Sequence, residues 1–239
     1  MQSVNLLKGI GLLTLLLIPS NEKGLTSIFQ TINHNDLSFT VASIPLEKYN
    51  LDLVGEPNAR RVVRNHKPIL LMNAGMFHPN HDPVGLEIID GETLNPLNIE
   101  DGEGNFFLKP NGVFAIHNNT AVILDSPSFD SSRTWSIATQ SGPLLLYNGE
   151  YHPKLKANSS NLHIRNGVCP SENTVHLIIS EEPVRFYDLA SLMKEKLNCD
   201  DGLYLDGSVS KLYHFDGSDW TPELSRKPLG NWLIVRPKL

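Results

Sequence analysis

The stretch RFYDLASLMKEKLNCDDGLYLDG, residues 185–207, joins the clearest helix of the sequence to a short apolar strand that ends in an acid. Apolar side chains share one face at helical spacing, namely those of Phe186, Leu189, Ala190, Met193 and Leu197. Asn198 and Gly202 are residue types that end a helix. A strand predicted over Leu203–Leu205 then leads to Asp206, so a helix packed on a sheet is expected here.

The sequence around Asp206 allows two interpretations. Asp206–Gly207 is a common hairpin turn signal between two apolar runs. Alternatively, a carboxylate stands at a strand end, and the small residues after it leave room for a ligand. The other motifs of the sequence are needed to choose between these two interpretations.

Most other segments predict strands, which are expected over Leu37–Ile44, Pro68–Gly75, Thr174–Ser180 and Asn231–Pro237. Hairpins are predicted within residues 112–125, around Asn118–Asn119, and within residues 142–153, around Asn148–Gly149. A second helix is expected near Pro45–Tyr49 or Asn58–Asn65. The predicted fold class is α+β: a strand-rich mixed or antiparallel sheet with a few packed helices, in a single domain over residues 25–239.

Composition limits the partners of the protein. The chain has 239 residues, of which 40% are hydrophobic, and a formal net charge of −6. This size supports one substantial core. Phosphate binding by nucleic-acid-binding proteins needs clustered Lys and Arg, and no long basic run occurs, so neither a nucleic acid nor an anionic membrane surface is expected as a partner.

The N-terminus predicts export. Lys8 precedes an apolar run over Gly9–Ile18, which is short for a membrane span but suits a secretion signal. Residues 1–24 are therefore interpreted as a signal peptide or an uncleaved anchor, with no stable membrane span beyond them. The expected location is the bacterial periplasm or cell envelope. Cys169 and Cys199 fit either one disulfide or two unpaired buried thiols.

Four stretches join an apolar strand to polar or small residues: LMNAGMFHPNHDPVGL (71–86), ATQSGPLLL (138–146), HIRNGVC (163–169) and YLDGSVSKLY (204–213). Taken singly, their polar residues are explained by turn chemistry or ion pairing. Taken together, they suggest a pocket, lined by Asn73, Gln140, Ser141, Arg165, Asp206 and Ser208.

The segment HPNHD contains three residues of the types that bind metals, His78, His81 and Asp82. No helical spacing places these three side chains on one face, so no cofactor is predicted. A divalent metal stays an open alternative. The sequence has no nucleotide-binding glycine motif and no nucleophile elbow at Ser141.

Five motifs, in order NAGMF…PVGL, GNFFLKPNGVF, ATQSGPLLL, IRNGV and LYLDGSVSKLY, resemble the phosphodiester glycosidase family, and in particular its short bacterial branch. The resemblance runs from about Leu37 to Pro237. It implies an α+β fold and hydrolysis of a sugar C1–O–phosphate linkage. Two departures are a last motif with less glycine than in some relatives and Cys169 at a position where glycine is common, and both weaken any transfer of substrate identity.

The resemblance assigns roles by position. The expected catalytic residues are Asp206, Arg165 and Asn73. The expected substrate-binding residues are Gly75, Gln140, Ser141, Gly142, Gly207 and Ser208. Glycoside hydrolysis normally uses two carboxyl groups, and Glu87 is a weak second candidate, because its hairpin arm predicts an outward side chain.

A phosphate leaving group needs little protonation but does need a cation. Arg165 is expected to grip two phosphate oxygens. The predicted function is hydrolysis of a sugar-1-phosphodiester, with a glycan substrate. Two alternatives stay open: a non-catalytic envelope protein that binds glycan or phosphoglycan, and a metal-dependent phosphodiesterase that cuts the P–O bond.

Overall fold

Three sheets contain most of the regular secondary structure in the computed structural model, which describes residues 28–238 apart from the side chain of Ser208. Sheet I has seven strands, in the spatial order β1 (Phe29–His34), β2 (Leu37–Pro45), β13 (Thr174–Ser180), β12 (Asn166–Ser171), β14 (Gly202–Tyr204), β10 (Leu144–Tyr147) and β11 (Glu150–Tyr151).

Sheets II and III have five strands each. The order in sheet II is β16 (Trp220–Thr221), β15 (Leu212–Phe215), β4 (Leu70–Asn73), β17 (Trp232–Pro237) and β3 (Tyr49–Val54). The order in sheet III is β6 (Glu92–Asn95), β5 (Glu87–Ile89), β9 (Ile137–Ser141), β7 (Gly112–His117) and β8 (Thr120–Asp125). Each strand pairing within residues 28–238 is antiparallel, so the expected strand-rich fold is found in its antiparallel form.

One hydrophobic core joins the three sheets. Ile44 of sheet I, Leu233 of sheet II and Phe114 of sheet III are fully buried and belong to the same packed cluster. Strand β4 is buried along its whole length, which explains why its sequence is a continuous apolar run rather than an alternating one. The sheets therefore form one packed structure around a shared interior.

Two α-helices pack on the sheets within the described residues. Helix α1 (Ala59–His66) begins at Asn58, whose side chain accepts from the backbone N–H groups of the first turn. Helix α2 (Phe186–Glu195) begins with a capping box, in which the Asp188 carboxylate accepts from the backbone N–H of Arg185 at 2.8 Å. Short 3-10 helices cover Ser126–Ser128 and Gly207–Val209.

The helix predicted within residues 185–207 and the predicted hairpins are present. Asn118 and Asn119 both have positive φ, and so do Asn148 and Gly149, as two-residue hairpin turns require. The second predicted helix lies at its Asn58–Asn65 alternative, whereas residues 46–48 form a turn before β3. The hairpin interpretation of Asp206–Gly207 is wrong, because these residues lead into a 3-10 helix.

Cys169 of β12 and Cys199, which follows helix α2, form a disulfide with a sequence separation of 30. Closing a loop of this length stabilises a protein by about 3–4 kcal/mol in the chain-entropy account. The disulfide therefore holds helix α2 against sheet I. The signal or anchor expected over residues 1–24 lies outside the described residues, and within residues 28–238 no helix is long and apolar enough to cross a membrane.

Candidate active site

The loop that carries Asp206 lies where sheets I and II meet. Strand β14 of sheet I leads to Asp206, and the Asp206 backbone N–H donates to Ala74 O, just after β4 of sheet II, at 3.1 Å. Asn73 holds both ends of the loop: its Nδ2 donates to Asp206 O at 2.9 Å, and its Oδ1 accepts from Lys211 N at 2.6 Å. Residues 206–211 form the Asp206 loop. The side-chain amide of Asn73 therefore fixes this loop at both ends.

Two further buried side chains complete this support. Asn166 Nδ2 donates to Asn73 O at 2.8 Å, and Ser210 Oγ lies 3.2 Å from Asn166 Oδ1 and 3.0 Å from Gly207 O. Asn73, Asn166 and Ser210 are all buried. Asn166 and Ser210 lie within motif stretches but were missed as site residues, because no local sequence pattern shows which polar residues of these stretches bond to one another.

A cavity of about 620 Å³ lies beside the Asp206 loop. It is called the Asp206 cavity, and its wall is formed by Met76, Phe77, His78, Pro79, His81, Val84, residues 103–107, Asp206, Val209, Lys227 and Pro228. The wall combines the carboxylates of Asp206 and Glu103, the cation of Lys227 and several aromatic rings. This is the size and chemistry of a small-molecule site.

Tyr204 lies directly under the Asp206 loop. A Cβ atom added at Gly207 would lie 1.8 Å from Tyr204 Oη, so the loop approaches the phenol as closely as only glycine permits. Burial raises the pKa of Tyr204, the nearby Arg165 guanidinium lowers it, and the Asp206 carboxylate raises it again. The hydroxyl is thus neutral and supports the loop, accepting from the Gly207 backbone.

Arg165 is only 1% exposed, which differs from the expected contact with a substrate phosphate. Its Nε donates to Val184 O at 2.8 Å, one Nη donates to Tyr204 Oη at 3.3 Å, and the other donates to Asn161 Oδ1 at 2.7 Å. The guanidinium lies 3.7 Å from the centre of the Phe186 ring. Arg165 therefore orients Tyr204 and its surroundings from behind the cavity wall.

Burial also lowers the pKa of Arg165, and the facing Tyr204 and Asp188 raise it. An arginine keeps its proton in proteins despite such a shift. Within residues 28–238, no carboxylate lies within ion-pair distance of this guanidinium. Its direct contacts are carbonyl groups, a phenol and an aromatic face, and the Asp188 carboxylate acts on it from beyond ion-pair distance.

Gln140 is also buried, and its side chain is fully occupied by protein groups. Its Oε1 accepts from the backbone N–H groups of Leu86 and Asn98, at 3.0 and 2.9 Å. Its Nε2 donates to Asn98 O at 2.6 Å and to Ser126 Oγ at 2.8 Å. This Gln140 cluster uses every hydrogen-bonding group of the amide, so a substrate could bind Gln140 only by breaking these bonds.

Three more expected binding residues, Gly75, Ser141 and Gly142, are buried and are absent from the wall of the Asp206 cavity. Ser141 and Gly142 are buried, and a Cβ added at Gly142 would lie 2.6 Å from Phe106 O. A Cβ added at Gly75 would lie 3.0 Å from Gln140 O. Gly75 and Gly142 are therefore sites of close backbone packing next to the stretches that carry Phe77 and Phe106.

The HPNHD segment lies on the cavity wall. His78 and His81 line the cavity, and the His81 ring stacks on Phe77 with 5.6 Å between ring centres. Asp82 is exposed, and its carboxylate accepts from Asn80 Nδ2 at 2.6 Å. Within residues 28–238 no group of three or more His, Cys, Asp and Glu side chains is arranged to hold a metal ion.

Glu87 is 5% exposed, so the outward side chain predicted for it is wrong. It lies on β5, and its Oε1 accepts from Asn231 Nδ2 at 2.6 Å. Burial raises the pKa of Glu87, and the hydrogen bond from Asn231 partly opposes that shift. Glu87 is absent from the cavity wall. The wall contains two carboxylates, those of Asp206 and Glu103.

Comparisons with known proteins agree with this architecture. The catalytic domain of zebrafish N-acetylglucosamine-1-phosphodiester alpha-N-acetylglucosaminidase, auto-inhibited by its pro-peptide, superimposes with a TM-score of 0.63 and 14% identity, over 88% of this chain and 82% of that one. A hypothetical protein from Synechocystis matches with a TM-score of 0.53 and 13% identity, over 88% of this chain and 61% of that one. These likenesses establish the fold.

Sequence comparison adds a relative and a family. The uncharacterized protein YigE of Escherichia coli (strain K12) is 38% identical over 151 residues, which are 62% of this chain and 59% of YigE. The match thus spans less than two thirds of the relative. The family model described as phosphodiester glycosidase matches residues 66–236, which include the Asp206 loop and every wall residue of the Asp206 cavity. This chain belongs to the phosphodiester glycosidase family.

Proposed function

We propose that the protein hydrolyses the glycosidic C1–O bond of a sugar-1-phosphodiester at the Asp206 cavity. The observation that carries the proposal is the half-buried Asp206, which lies on the wall of a 620 Å³ cavity and on a loop that Asn73 anchors at both ends. An acid on so fixed a backbone is suited to one position on a bound substrate.

In the proposed reaction, the oxygen of a water molecule bonds to the sugar C1 as the C1–O bond to phosphate breaks. The bonding electron pair leaves with the phosphate monoester. Asp206 accepts the proton of the water and stabilises the positive charge that develops at C1. Because the leaving group is already a stable anion, the site needs charge stabilisation more than it needs a general acid.

The cavity supplies groups for that charge. Lys227 lines it and is exposed, and the imidazoles of His78 and His81 face the same space. We assign contact with the phosphate to these side chains in place of Arg165, which is buried behind the wall. Cations placed where negative charge develops are typically the largest electrostatic contribution to such a reaction.

The aromatic wall suits the sugar. Phe77, Phe106 and Phe107 line the cavity, and aromatic faces pack on the apolar faces of sugar rings with little loss of conformational entropy. Asn73, Asn166, Arg165 and Tyr204 are assigned as positioning residues, because each acts on the loop or wall through a backbone or side-chain contact.

The proposal extends to location. We propose that residues 1–24 direct export to the bacterial cell envelope and that residues 25–239 are the exported domain. The Cys169–Cys199 disulfide supports this, since disulfides persist in oxidising compartments.

The test uses purified protein and a panel of sugar-1-phosphodiesters, with release of free sugar as the readout. Asp206→Asn should lower kcat/KM by about 10²–10³ or more while leaving the melting temperature within a few degrees. Glu103→Gln, which neutralises the other carboxylate of the cavity, is the matched variant and should lose far less activity. If no sugar is released but the panel still binds, the protein is a glycan-binding protein.

Reaction in heavy-oxygen water separates the remaining alternative. Label in the released sugar means that the C1–O bond broke. Label in the phosphate means P–O cleavage, which contradicts the proposal and would direct attention to a metal-dependent phosphodiesterase.

A further inference from the structure

We propose that the substrate is an extended glycan chain that carries additional phosphate groups on both sides of the bond that is cleaved. This inference rests on the function proposed above, and it concerns two concave surfaces that flank the Asp206 cavity. The protein would then act within or along a phosphodiester-linked polymer instead of on a single small phosphodiester.

Both flanking surfaces border the Asp206 cavity. One flanking surface, the Lys211 cleft, has a volume of about 480 Å³ and shares Val209 and Lys227 with the Asp206 cavity. The other, the Lys156 cleft, has a volume of about 210 Å³ and shares Asn105 with it. A pocket of 300–1,000 Å³ already holds one drug-sized ligand. The central cavity is therefore large enough for one sugar phosphodiester, and the clefts provide room for more chain.

Both clefts are cationic. The Lys211 cleft is lined by Lys211, Lys227 and His163, and the Lys156 cleft by Lys154 and Lys156. Neither cleft has an Asp or Glu in its lining. None of these lysines forms an ion pair with another residue of the range 28–238.

The rest of the chain makes this charge pattern informative. The protein has 26 Asp and Glu against 20 Lys and Arg, so a surface chosen at random should contain more acids than bases. Two acid-free clefts on either side of the central cavity therefore match an anionic ligand that passes through it.

A buried cation adds to the charge of the Lys156 cleft. Arg165 lies behind this cleft and contacts two of its lining residues, donating to Asn161 and lying against Phe186. Within residues 28–238 no carboxylate lies within ion-pair distance of Arg165, and the nearby Asp188 is itself paired with Arg185. Charge buried in a low-dielectric interior acts over a longer range than charge at the surface. The cleft thus favours an anion more than its two lysines alone would.

The Lys156 cleft also offers a surface for a sugar. Phe186 and Tyr187 line it together with the polar side chains of Ser159 and Asn161. Aromatic rings beside hydroxyl and amide groups suit a sugar ring, whereas a free inorganic anion would gain nothing from them. A chain of alternating sugars and phosphates matches both features.

The first experiment measures binding without catalysis. The probe is an oligomer of poly(glycerol phosphate), which is an anionic phosphodiester chain without an anomeric carbon, and the neutral control is a dextran oligomer. Calorimetry at low salt should detect the anionic probe only. Lys211→Gln and Lys156→Gln should each weaken its binding about three- to fivefold, the scale of one exposed charge interaction. Lys48→Gln, at an exposed lysine outside the clefts, should leave it unchanged.

The second experiment measures turnover. An oligomer of sugars joined by 1-phosphodiester bonds should have a KM at least about tenfold below that of a methyl sugar-1-phosphodiester, since each tenfold step corresponds to 1.4 kcal/mol of added binding. Both lysine variants should raise the KM of the oligomer, and Lys156→Gln, which lies outside the Asp206 loop, should leave that of the methyl ester unchanged.

The outcomes separate the two proposals. Turnover of both substrates with equal KM would overturn the extended-chain inference and leave the proposed hydrolysis intact. Binding of the anionic oligomer that depends on both lysines, without turnover of any substrate, would support the clefts and contradict the hydrolysis. A loss of binding in only one of the two lysine variants would overturn the assignment of phosphates to both sides.

Discussion

The Gln140 cluster and the Asp206 loop look alike in sequence but are opposite in function. Each places a polar residue at or just after the end of a strand, followed by small residues. In the Gln140 cluster every hydrogen-bonding group of the amide is bonded to protein, behind the wall that carries Phe106. In the Asp206 loop the backbone is anchored in the same way, but the side chain lines the cavity.

The difference shows which of these polar side chains a ligand in the cavity could reach. A buried side chain whose donors and acceptors are all satisfied is a structural clamp, since a substrate could bind it only by breaking those bonds. In the Asp206 loop the anchoring hydrogen bonds come from the side chains of Asn73, Asn166 and Ser210. Three amide and hydroxyl groups hold the backbone, and the carboxylate remains at the cavity surface.

The sharpest test of this comparison is Gln140→Leu. The substitution keeps the approximate volume but leaves the buried N–H of Leu86 and the partly buried N–H and carbonyl of Asn98 without their partner. Each unsatisfied group costs about 1–3 kcal/mol, so the free energy of unfolding should fall by about 3–5 kcal/mol in urea denaturation. Gln30→Leu, on the exposed surface of β1, is the control and should change it little.

The activity of the folded Gln140→Leu variant completes that test. Measured at a temperature where the variant is folded, kcat should stay within a few-fold of wild type. A loss of kcat as large as that of Asp206→Asn, with normal stability, would mean that Gln140 contacts the substrate. The Gln140 cluster would then not differ in role from the Asp206 loop.

Gly207→Ala tests the Asp206 loop itself. The added Cβ would lie 1.8 Å from Tyr204 Oη, so either the loop or the phenol must move. A displacement of about 1 Å near reacting atoms costs about 10²-fold in rate, and overpacking costs about 1–3 kcal/mol of stability. Enzyme kinetics and thermal unfolding measure the two effects. Gly55→Ala is the control, because its Cβ would make ordinary contacts at 3.4 and 3.6 Å. It should lower neither the reaction rate nor the stability.

The smallest effect is expected from Glu87→Gln. Because burial raises the pKa of Glu87 in the folded protein, the stabilising form is the protonated one. That contribution is complete below the unfolded value of 4.5 and is lost as the pH rises through the raised folded pKa. The variant should therefore be more stable than wild type at pH 7 but not at pH 4.

The expected gain for Glu87→Gln at pH 7 is on the order of 0.5–1.5 kcal/mol, the scale of one hydrogen bond. Denaturant melts at the two pH values measure it. An equal change at both would show that the carboxyl group does not titrate with folding, and a large loss of activity would place Glu87 with the Asp206 loop instead of with the buried clamps.

Local features of the sequence determined much of this fold. Helical spacing over residues 185–197 and the turn pairs at Asn118–Asn119 and Asn148–Gly149 act over a few residues, and their elements formed where they were predicted. The motif stretches likewise pointed to Asp206 and Asn73 as parts of one region. Such signals need no knowledge of what the segment packs against.

Which polar side chains face the Asp206 cavity depends on the tertiary structure and could not be read from the sequence. Gln140, Arg165 and Glu87 are hydrophilic, and sequence reasoning placed the first two in a pocket and the third on the surface, yet all three are buried. Their partners, such as Asn98, Val184 and Asn231, come from distant parts of the chain or from other sheets. Burial depends on how three sheets close around one core, which is a non-local property that no short stretch of sequence contains.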